Sequence, residues 1–432
     1  MSAATTAGAL GPAAAEALGG PDWLVARRVA AAERAAALSL PSADEEIWRY
    51  SPIGDLDLEA WASPMPHPGS TPEPPPDELV ALLERLGPRA ATVVVRNGHV
   101  VLADVEPRWA DAGLVVDRLV GAVAGADLLG SVAPEPADVF AHLNDAFAAD
   151  PVLVWVPTGL AVTEPVVVVD WVDTPGVLVA SRVVVATAPD AEVEVLEWQG
   201  GSAAALCLPV TELAASQASR LRHLVVQERG NDTWQVGEVY ASAGRDATVV
   251  SSQAALGGRY ARTRSLSRLE GRGAHAEMTA VYLGEGTQTL DFRTDQRHDA
   301  PDTTSDLLFC GAVGDASRAI YTGTITIAPE GRGANANQTN RNLKLDDDAW
   351  AESVPNLVIE NNDVRCSHAS TVGPVDTDQL FYLESRGVPP TEAERLIVAG
   401  FFAEPLGRLP VPAASALVGE RLAARLRRRE QR

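Results

Sequence analysis

The segment that decides the fold runs from Val183 to Trp198 and reads Val-Val-Val-Ala-Thr-Ala-Pro-Asp-Ala-Glu-Val-Glu-Val-Leu-Glu-Trp. Two runs rich in β-branched residues flank the turn Pro189-Asp190-Ala191, and apolar runs bounded by turn residues are typical of β-strands. Similar runs follow one another through the middle of the chain. They span Val152 to Val156, Val166 to Val169, Val177 to Val185, Val193 to Trp198 and Leu221 to Val226. The middle of the chain is therefore predicted to consist of many short strands.

Small turns precede the predicted strands at nearly regular intervals. They are Pro189-Asp190-Ala191, Ser216-Gln217-Ala218, Arg245-Asp246-Ala247 and Arg272-Gly273-Ala274, with Arg332-Gly333-Ala334 further on. The first four alanines lie 27, 29 and 27 residues apart (218 − 191, 247 − 218, 274 − 247). Such a period is typical of repeat architectures, in which each repeat buries its apolar face against the next. The pattern favours a β-helix-like solenoid and leaves a β-sandwich as the alternative.

Residues 1–150 are predicted to form a mainly helical region. Its helical segments are Pro21 to Leu38, Asp77 to Leu86 with Asp77 as the cap, and the one-sided apolar set Val139, Phe140, Leu143 and Phe147. Residues 64–76 hold seven prolines and are predicted to be a linker or exposed loop. Within this region, Asn97-Gly98 predicts a β-hairpin over Ala91 to Val101. Met1 to Gly20 has no basic segment, so we expect a flexible arm and not a signal peptide.

Residues 151–375 are predicted to be the β-solenoid core, and residues 376–432 a C-terminal helical domain. Asp376 is typical of a helix cap, and Gly387 of a helix end. A second helix is expected to begin with a capping box at Thr391. Its predicted buried face holds Ala393, Leu396, Ile397, Gly400 and Phe401. The chain ends in an amphipathic segment with a basic run, expected to be a solvated helix end or a docking surface.

Composition narrows the classes of function. The net charge of −23 argues against binding to nucleic acid or to anionic membranes, both of which require basic patches. No apolar run approaches the length of a membrane span. The three cysteines are odd in number and far apart, so they imply no disulfide framework and favour the reducing cytoplasm. They are Cys207, Cys310 and Cys366. No phosphate-binding P-loop is present, so any ATP chemistry is expected from a partner.

Cys366-Ser367-His368 is the chain's one close pairing of a thiol with an imidazole. Residues two apart in a strand point to the same face, so Cys366 and His368 could bind one metal together. Metal sites usually have three or four protein ligands, so this pair is at most half a site. The remaining ligands would come from elsewhere in the chain or from another subunit. The alternative is that the two side chains only pack.

The segment from Asp291 to Asp302 is dense in carboxylates and contains a histidine. Its oxygens could hold a hard cation, or act as acid and base in a polysaccharide-cleaving β-helix enzyme. The interleaved Arg293 and Arg297 favour a loop of turn and ion-pair residues instead. Cys207 and Cys310 lie in apolar sequence, where a buried and inert thiol is the ordinary case.

Two parts of the chain resemble the SufB/SufD family, the scaffold subunits of the SUF iron–sulfur cluster assembly machine. The C-terminal part comprises Asp363-Val364-Arg365-Cys366-Ser367-His368, Thr371-Val372-Gly373 and Leu380-Phe381-Tyr382-Leu383-x-Ser385-Arg386-Gly387. The N-terminal part is Glu46-x-Trp48-Arg49-Tyr50, which on its own would read as an aromatic staple that anchors a surface segment. One departure is Ala369-Ser370, where the family usually has Gly-Ala.

The resemblance implies a right-handed parallel β-helix and a scaffold without catalytic activity of its own. It implies pairing with a SufB-type subunit and docking of a SufC-type ATPase through the C-terminal helices. The histidine that aligns with His368 faces a cysteine of the SufB-type partner, where the nascent cluster is thought to form. His368 is therefore the expected metal ligand of a transient iron–sulfur cluster shared with the partner, and Cys366 the second candidate.

Within the family, the resemblance favours the SufD type over the SufB type. SufB-type subunits usually carry carboxylates beside the aligned histidine, whereas this chain has Cys366 and Ser367 there. They also carry a cysteine after the preceding strand, whereas Glu360-Asn361-Asn362 has none. A SufB-type subunit with Cys310 as sulfur acceptor is the alternative. Binding of a reduced flavin to the complex and a homodimer of the isolated chain are left open.

Overall fold

The computed structural model of the chain describes residues 9–64, 76–122, 125–133, 136 and 138–429. Its strands are β1 (Ala91–Arg96), β2 (His99–Val105), β3 (Val115–Arg118), β4 (Val152–Val156), β5 (Val166–Trp171), β6 (Leu178–Val179), β7 (Arg182–Thr187), β8 (Glu192–Gly200), β9 (Leu206–Cys207), β10 (Val210–Ala215), β11 (Arg220–Gln227), β12 (Trp234–Ala243), β13 (Thr248–Ala255), β14 (Tyr260–Leu269), β15 (His275–Gly284), β16 (Thr289–His298), β17 (Thr304–Val313), β18 (Arg318–Ile327), β19 (Asn335–Lys344), β20 (Trp350–Ile359) and β21 (Arg365–Pro374). Its helices are α1 (Pro12–Ala17), α2 (Asp22–Ala37), α3 (Asp77–Leu86), α4 (Pro107–Asp111), α5 (Gly125–Leu128), α6 (Val139–Phe147), α7 (Thr377–Ser385), α8 (Pro390–Arg408) and α9 (Pro412–Arg429).

The strands coil into a parallel solenoid with two long sheets. The 10-stranded sheet has the order β2-β1-β5-β8-β11-β13-β15-β17-β19-β21, and the 11-stranded sheet follows β20-β18-β16-β14-β12-β10-β7-β4-β3 with β6 and β9 beside it. From β10 onward, consecutive strands alternate between the sheets, and each pairs in parallel with the equivalent strand of the next coil. About eight coils stack in this way, so the predicted mainly β class with a parallel β-helix core is confirmed. The β-sandwich alternative is wrong, because sandwiches are built from antiparallel sheets.

The predicted turns join the coils on one side of the solenoid. Residues with positive φ stack there, including Asp190 (60°), Asp246 (54°) and Gly273 (73°). The turn at Ser216-Gln217-Ala218 is predicted one residue out of register, because Ala218 itself has positive φ (56°) and Ser219 takes the buried small position. Counted through Ser219, the first two intervals are 28 and 28 residues (219 − 191, 247 − 219), a more regular repeat than the alanines indicate.

The structure confirms some of the elements predicted within residues 1–150 and corrects others. The hairpin at Asn97-Gly98 forms between β1 and β2, and β1 continues the 10-stranded sheet by pairing in parallel with β5. Asp77 is the first residue of helix α3 and Pro76 occupies the cap position, so the predicted cap is wrong. Helix α1 lies inside the predicted flexible arm, so that prediction is wrong for these residues. Residues 1–8 and most of the proline-rich stretch, 65–75, lie outside the described residues.

The segment around Trp48 packs on the 11-stranded sheet and is hydrogen-bonded to it. Trp48 is fully buried, and the guanidinium carbon of Arg262 lies 3.9 Å from its ring centroid. Arg262 Nη1 donates to the carbonyl oxygen of Ile47 at 3.0 Å, and Arg293 Nη2 donates to that of Arg49 at 3.1 Å. Cation–π contacts over tryptophan and charge-assisted hydrogen bonds both stabilise such a contact. The expected aromatic staple is confirmed.

The first C-terminal helix, α7, begins and ends as predicted, whereas α8 departs from the prediction. The Asp376 side chain accepts from the backbone N–H groups of residues 378 and 379, and Gly387 (φ 87°) follows the end of α7. Helix α8 begins earlier than predicted, at Pro390 after Pro389, so the capping box at Thr391 is wrong. Its buried residues are Ala393, Val398, Phe402 and Pro405, whereas Leu396 of the predicted face is 44% exposed.

Helix α9 lies against the solenoid and is held by regularly spaced arginines. Arg425 Nη1 lies 3.1 Å from a carboxylate oxygen of Glu285, and Arg429 pairs with Asp346. Apolar residues of α8 and α9 share one buried cluster with residues of the 10-stranded sheet. Part of the basic run is therefore engaged within the chain and not solvated. No helix among the described residues is long and apolar enough to cross a membrane.

Candidate iron site

The C-terminal end of the solenoid exposes the last strand of each sheet. β21 pairs only with β19 in the 10-stranded sheet, and β20 only with β18 in the 11-stranded sheet. The backbone groups along the outer edges of these strands have no further strand to pair with among the described residues, which makes them a template for a second polypeptide. This end is therefore where a partner would extend the sheets.

The register with β19 shows which side chains of β21 face the inside of the coil. Cys366 lies beside Ala336 and His368 beside Gln338, and both of these β19 residues are 1% exposed. Ser367 faces outward, since its Oγ donates to Oδ1 of Asn337 at 2.8 Å on the outer side. Cys366 and His368 therefore lie on the same inward face of β21, as strand alternation predicts. Among the described residues no further strand lies above them, so this inward face is open.

The two candidate ligands differ in environment. Cys366 is half-buried and packs against an apolar cluster that includes Ile325 and Ile327, and this burial raises the pKa of its thiol. His368 is exposed. A raised thiol pKa disfavours the thiolate that a metal requires, whereas an exposed imidazole is free to ligate. His368 is the better ligand of the two.

The described residues do not complete a metal site around this pair. No group of three or more His, Cys, Asp or Glu side chains that could hold a metal occurs in the part of the chain that the structure describes. An imidazole, with at most one thiolate, leaves most coordination positions of an iron to other ligands. Among the described residues, this pair therefore holds too few ligands to bind an iron securely by itself.

The carboxylate-rich segment forms a strand, a turn and several ion pairs. The predicted loop is wrong for residues 291–298, which belong to β16. Asp291 is fully buried between Arg262 and Arg293, at 2.9 and 2.6 Å. Asp299 lies 2.9 Å from Arg297, and Asp302 also pairs with an arginine. The preference for ion-pair residues is confirmed, and this arrangement disfavours a cation site or an acid–base pair.

The other two cysteines are sealed in the core. Burial raises the pKa of the Cys207 thiol to about 11 and that of the Cys310 thiol to about 12. Their side chains are 1% and 0% exposed. Thiols in this state are poor nucleophiles. Both therefore fit the expected inert role, and Cys310 is unsuited to accept sulfur from another protein.

Apolar side chains surround the candidate site on the exposed end. Leu357, Val358 and Ile359 of β20 are 38%, 48% and 42% exposed, and Val372 of β21 is 40% exposed. On α7, which follows β21, Phe381 is 72% exposed. Contiguous exposed apolar residues mark interaction surfaces in folded proteins. We call the inward-facing Leu357, Ile359 and Val372, together with His368, the end face.

Sequence reasoning missed one residue beside the candidate ligands. Gln338 lies directly beneath His368, and the signal was available, because the two positions are 30 residues apart (368 − 338), close to the length of one coil. A polar residue at this spacing from a candidate ligand would have been predicted as its neighbour. The uneven coil lengths hid this register.

Comparison with known proteins places the chain among cluster-assembly proteins. Residues 171–401 match the family described as SUF system FeS cluster assembly, SufBD core domain. The chain is similar to an iron–sulfur cluster assembly SufBD family protein of Mycobacterium bovis, with 31% identity over 401 residues, 90% of this chain and 89% of the relative. It is similar to iron–sulfur cluster assembly protein SufD of Bacillus subtilis, with 34% identity over 171 residues, 40% of this chain and 39% of the relative. With SufD of Escherichia coli it shares 33% identity over 159 residues, 37% of this chain and 38% of that protein.

Proposed function

This chain belongs to the SufB/SufD family of the SUF iron–sulfur cluster assembly system, and on that basis we propose that it is a SufD-type scaffold subunit. It pairs with a SufB-type subunit and builds the nascent cluster at their interface. The observation that carries the proposal is the position of His368, exposed on the inward face of the last strand of an open solenoid end.

The end face supplies both the contact and the chemistry for this pairing. Its exposed apolar residues gain hydrophobic free energy when a partner covers them. Its edge strands offer backbone hydrogen bonds to a partner's strands. His368 then contributes one ligand, and a cysteine thiolate of the partner contributes another, which leaves positions for sulfide. A cluster held by so few ligands is suited to release onto a recipient protein.

The proposed scaffold has no catalytic residues of its own, and ATP hydrolysis belongs to a SufC-type ATPase. We propose that the ATPase docks on the C-terminal helices. Helix α7 supports this because none of its residues is buried, and Phe381 and Tyr382 are 72% and 58% exposed. Aromatic side chains are enriched at protein interfaces. The arginines of α9 that pair with the solenoid are less suited to this contact.

The remaining parts of the proposal concern location, self-association and flavin. We propose a cytoplasmic protein that forms a homodimer through the end face in the absence of its partner. We assign no residue of this chain to a reduced flavin, because the groove between α3 and α9 does not fit one. In the groove between α3 and α9, Trp171 and Trp198 are only 9% and 2% exposed, and Glu78 and Glu228 line the rim. Flavin binding would therefore belong to the assembled complex.

The central experiment is replacement of the proposed ligand. His368→Ala should fold normally and bind both partner subunits, because the side chain is exposed and makes no contact that stabilises the coil. Cluster yield in the reconstituted complex should fall at least about tenfold, since loss of a ligand removes metal affinity of that order or more. The measurement is anaerobic iron and sulfide content together with the visible absorption of the cluster.

His275→Ala is the matched control, because His275 is also partly exposed on a strand but lies on β15, away from the end face. It should leave the cluster yield unchanged. A normal yield from the His368→Ala complex would remove His368 from the site and leave the family membership standing.

A further inference from the structure

Gln338 is a buried carboxamide without a hydrogen bond. Its side chain is 1% exposed on the inward face of β19, and neither Oε1 nor Nε2 has a hydrogen-bond partner among the described residues. Leaving a buried polar group unpaired costs about 1–3 kcal/mol. Such a group in a folded protein calls for an explanation, and its position in the coil provides one.

The opposite sheet leaves room for this carboxamide. Gly323 of β18 lies across the coil, and a Cβ at that position would lie 2.3 Å from Nε2 of Gln338 and 2.2 Å from Oη of Tyr321. Any larger residue would therefore displace Gln338. The hydroxyl of Tyr321 already bonds to Oγ1 of Thr294 at 3.0 Å. The space is matched to the glutamine, although none of the side chains around it pairs with the amide.

The neighbour on the open side of Gln338 is His368. The two residues are direct partners in the β19–β21 ladder, one strand spacing of about 4.8 Å apart, and both lie on the inward face. A glutamine and a histidine in this arrangement reach similar depths into the coil. The carboxamide and the ring therefore come within hydrogen-bonding reach when a partner covers the end face and orders the exposed ring.

We propose that Gln338 is a positioning residue for His368, an inference that rests on the proposed function. Oε1 of Gln338 accepts a hydrogen bond from one ring N–H of His368, which leaves the other ring nitrogen with its lone pair toward the iron. Histidine ligands commonly donate their second ring N–H to an oxygen, and this contact fixes the tautomer and the ring orientation. The unpaired amide beneath the ring is the feature that supplies such an oxygen.

Gln338→Leu tests the inference, because it keeps the volume and removes both polar atoms. Only this chain is labelled with ¹⁵N-histidine, in complex with its SufB-type partner and without metal, at a pH about two units above the ordinary histidine pKa. The His368 ring signals are assigned by their loss in His368→Ala. In the unsubstituted chain we expect one protonated and one unprotonated nitrogen, and in Gln338→Leu averaged shifts from two tautomers. Gln338→Glu, which keeps an oxygen acceptor, should restore the single tautomer.

The second measurement is affinity for Co²⁺, used as a spectroscopic substitute for iron, in the same complexes. Gln338→Leu should weaken Co²⁺ binding about 10- to 100-fold, as loss of such an outer contact typically does. If Gln338 only fills space, Gln338→Leu should match the unsubstituted chain in ring signals and in Co²⁺ affinity. That result would overturn the inference. Gln338→Met replaces the leucine variant should the latter fail to fold, and the ring signals are informative even if cluster assembly does not depend on His368.

Discussion

At the scale of single residues, His298 shows how the solenoid uses a titratable group for structure. Its Nδ1 lies 2.7 Å from Oγ1 of Thr303, and its Nε2 lies 2.8 Å from Oγ of Ser305. The ring is fully buried, and burial lowers its pKa to about 4. The imidazole is therefore neutral in the folded chain at physiological pH. It ties a turn to the next strand and is unavailable as an acid or a ligand.

This buried histidine predicts a pH dependence of stability. The folded pKa lies below the unfolded value of about 6.5, so protonation favours the unfolded chain. The neutral, buried ring of His298 makes its full contribution to the free energy of unfolding above about pH 6.5. As the pH falls toward 4, this contribution is lost, by about 3 kcal/mol in total. The measurement is the unfolding free energy of the unsubstituted chain and of His298→Gln at several pH values.

The unsubstituted chain and His298→Gln should differ less in free energy of unfolding as the pH falls. We expect this difference to decrease by about 1.4 kcal/mol per pH unit between pH 6 and pH 4, because glutamine does not titrate. A constant difference for His298→Gln across this range would show that the ring is already protonated when folded or is accessible to water.

The role of a residue could be predicted from the sequence where its partners are close in the chain. It could not be predicted where the partners come close only in the fold. The arginines interleaved at 293 and 297 correctly indicated ion pairs for the carboxylates around Asp291. The same sequence could not show that His298 is sealed, because its partners Thr303 and Ser305 come close only after the coil turns. Gln338 was missed because its nearest functional neighbour is one coil away and the uneven coil lengths hid that spacing.

At the scale of elements, helices α7 and α9 of the C-terminal region differ in how they contact the rest of the chain. Helix α9 is bound to the solenoid through apolar packing and the Arg425 and Arg429 pairs. Helix α7 has no buried residue and presents Phe381 and Tyr382 outward. Binding free energy at protein interfaces is often concentrated in a few aromatic residues. The proposed ATPase contact should therefore depend on α7 more than on α9.

The double variant Phe381→Ala/Tyr382→Ala tests this contact. Affinity for the SufC-type ATPase should fall by about 2 kcal/mol or more, roughly 30-fold, because both aromatic side chains would be lost from the interface. Binding is measured by calorimetry with the purified ATPase. The unfolding midpoint should not change, since neither side chain is buried.

Leu102→Ala, an exposed apolar residue of β2 in the N-terminal half, is the control and should bind the ATPase normally. Equal affinity of the double variant and the control would place the ATPase contact elsewhere on the chain.

The helices also show why boundaries were harder to predict than element types. Thr391 has a suitable capping sequence, but Pro389-Pro390 comes earlier, and proline with its fixed φ is well suited to the first helical position. Pro405 lies inside α8, and the helix continues through it to Arg408 although an internal proline removes one backbone hydrogen bond. The buried face shifted toward Val398 and Phe402 because the sheet beneath, which no local pattern describes, selects which side of a helix is covered.

At the scale of the whole molecule, the solenoid has a closed end, where Val100 of β2 and Val116 of β3 cover the apolar core, and an open end. The N-terminal edges are β2 and β3, which both run antiparallel to their neighbours. The C-terminal edges are the parallel strands β20 and β21, with exposed apolar residues. The repeated turns allowed the solenoid to be predicted, since their spacing is visible in the sequence. Which end is open was not predictable, because that depends on how the first strands fold back.

The difference between the ends predicts the size of the assemblies. The isolated chain should form dimers at high concentration and no longer chains, because only one end of each molecule is open and a symmetric contact between two open ends closes. Sedimentation equilibrium measures this. Val372→Lys should shift the protein to the monomer, since a charge on an edge strand opposes pairing.

Leu102→Lys, on the edge strand of the closed end, should leave the dimer unchanged. Trimers or filaments of the unsubstituted chain would show that the N-terminal edge also associates and that the contact does not close.

The arginines of α9 also fix the number of coils between the levels that they join. Glu228, Glu285 and Asp346 follow β11, β15 and β19, so Arg425 and Arg429 join levels four strand spacings apart, about 19 Å along the axis. The length of helix α9 therefore matches the distance between the coils that carry these acidic residues. Evolution could lengthen a solenoid of this kind by duplicating one coil. A coil inserted between Glu228 and Asp346, however, would leave α9 too short to pair with both. Growth of the molecule is thus confined to the coils that α9 does not span.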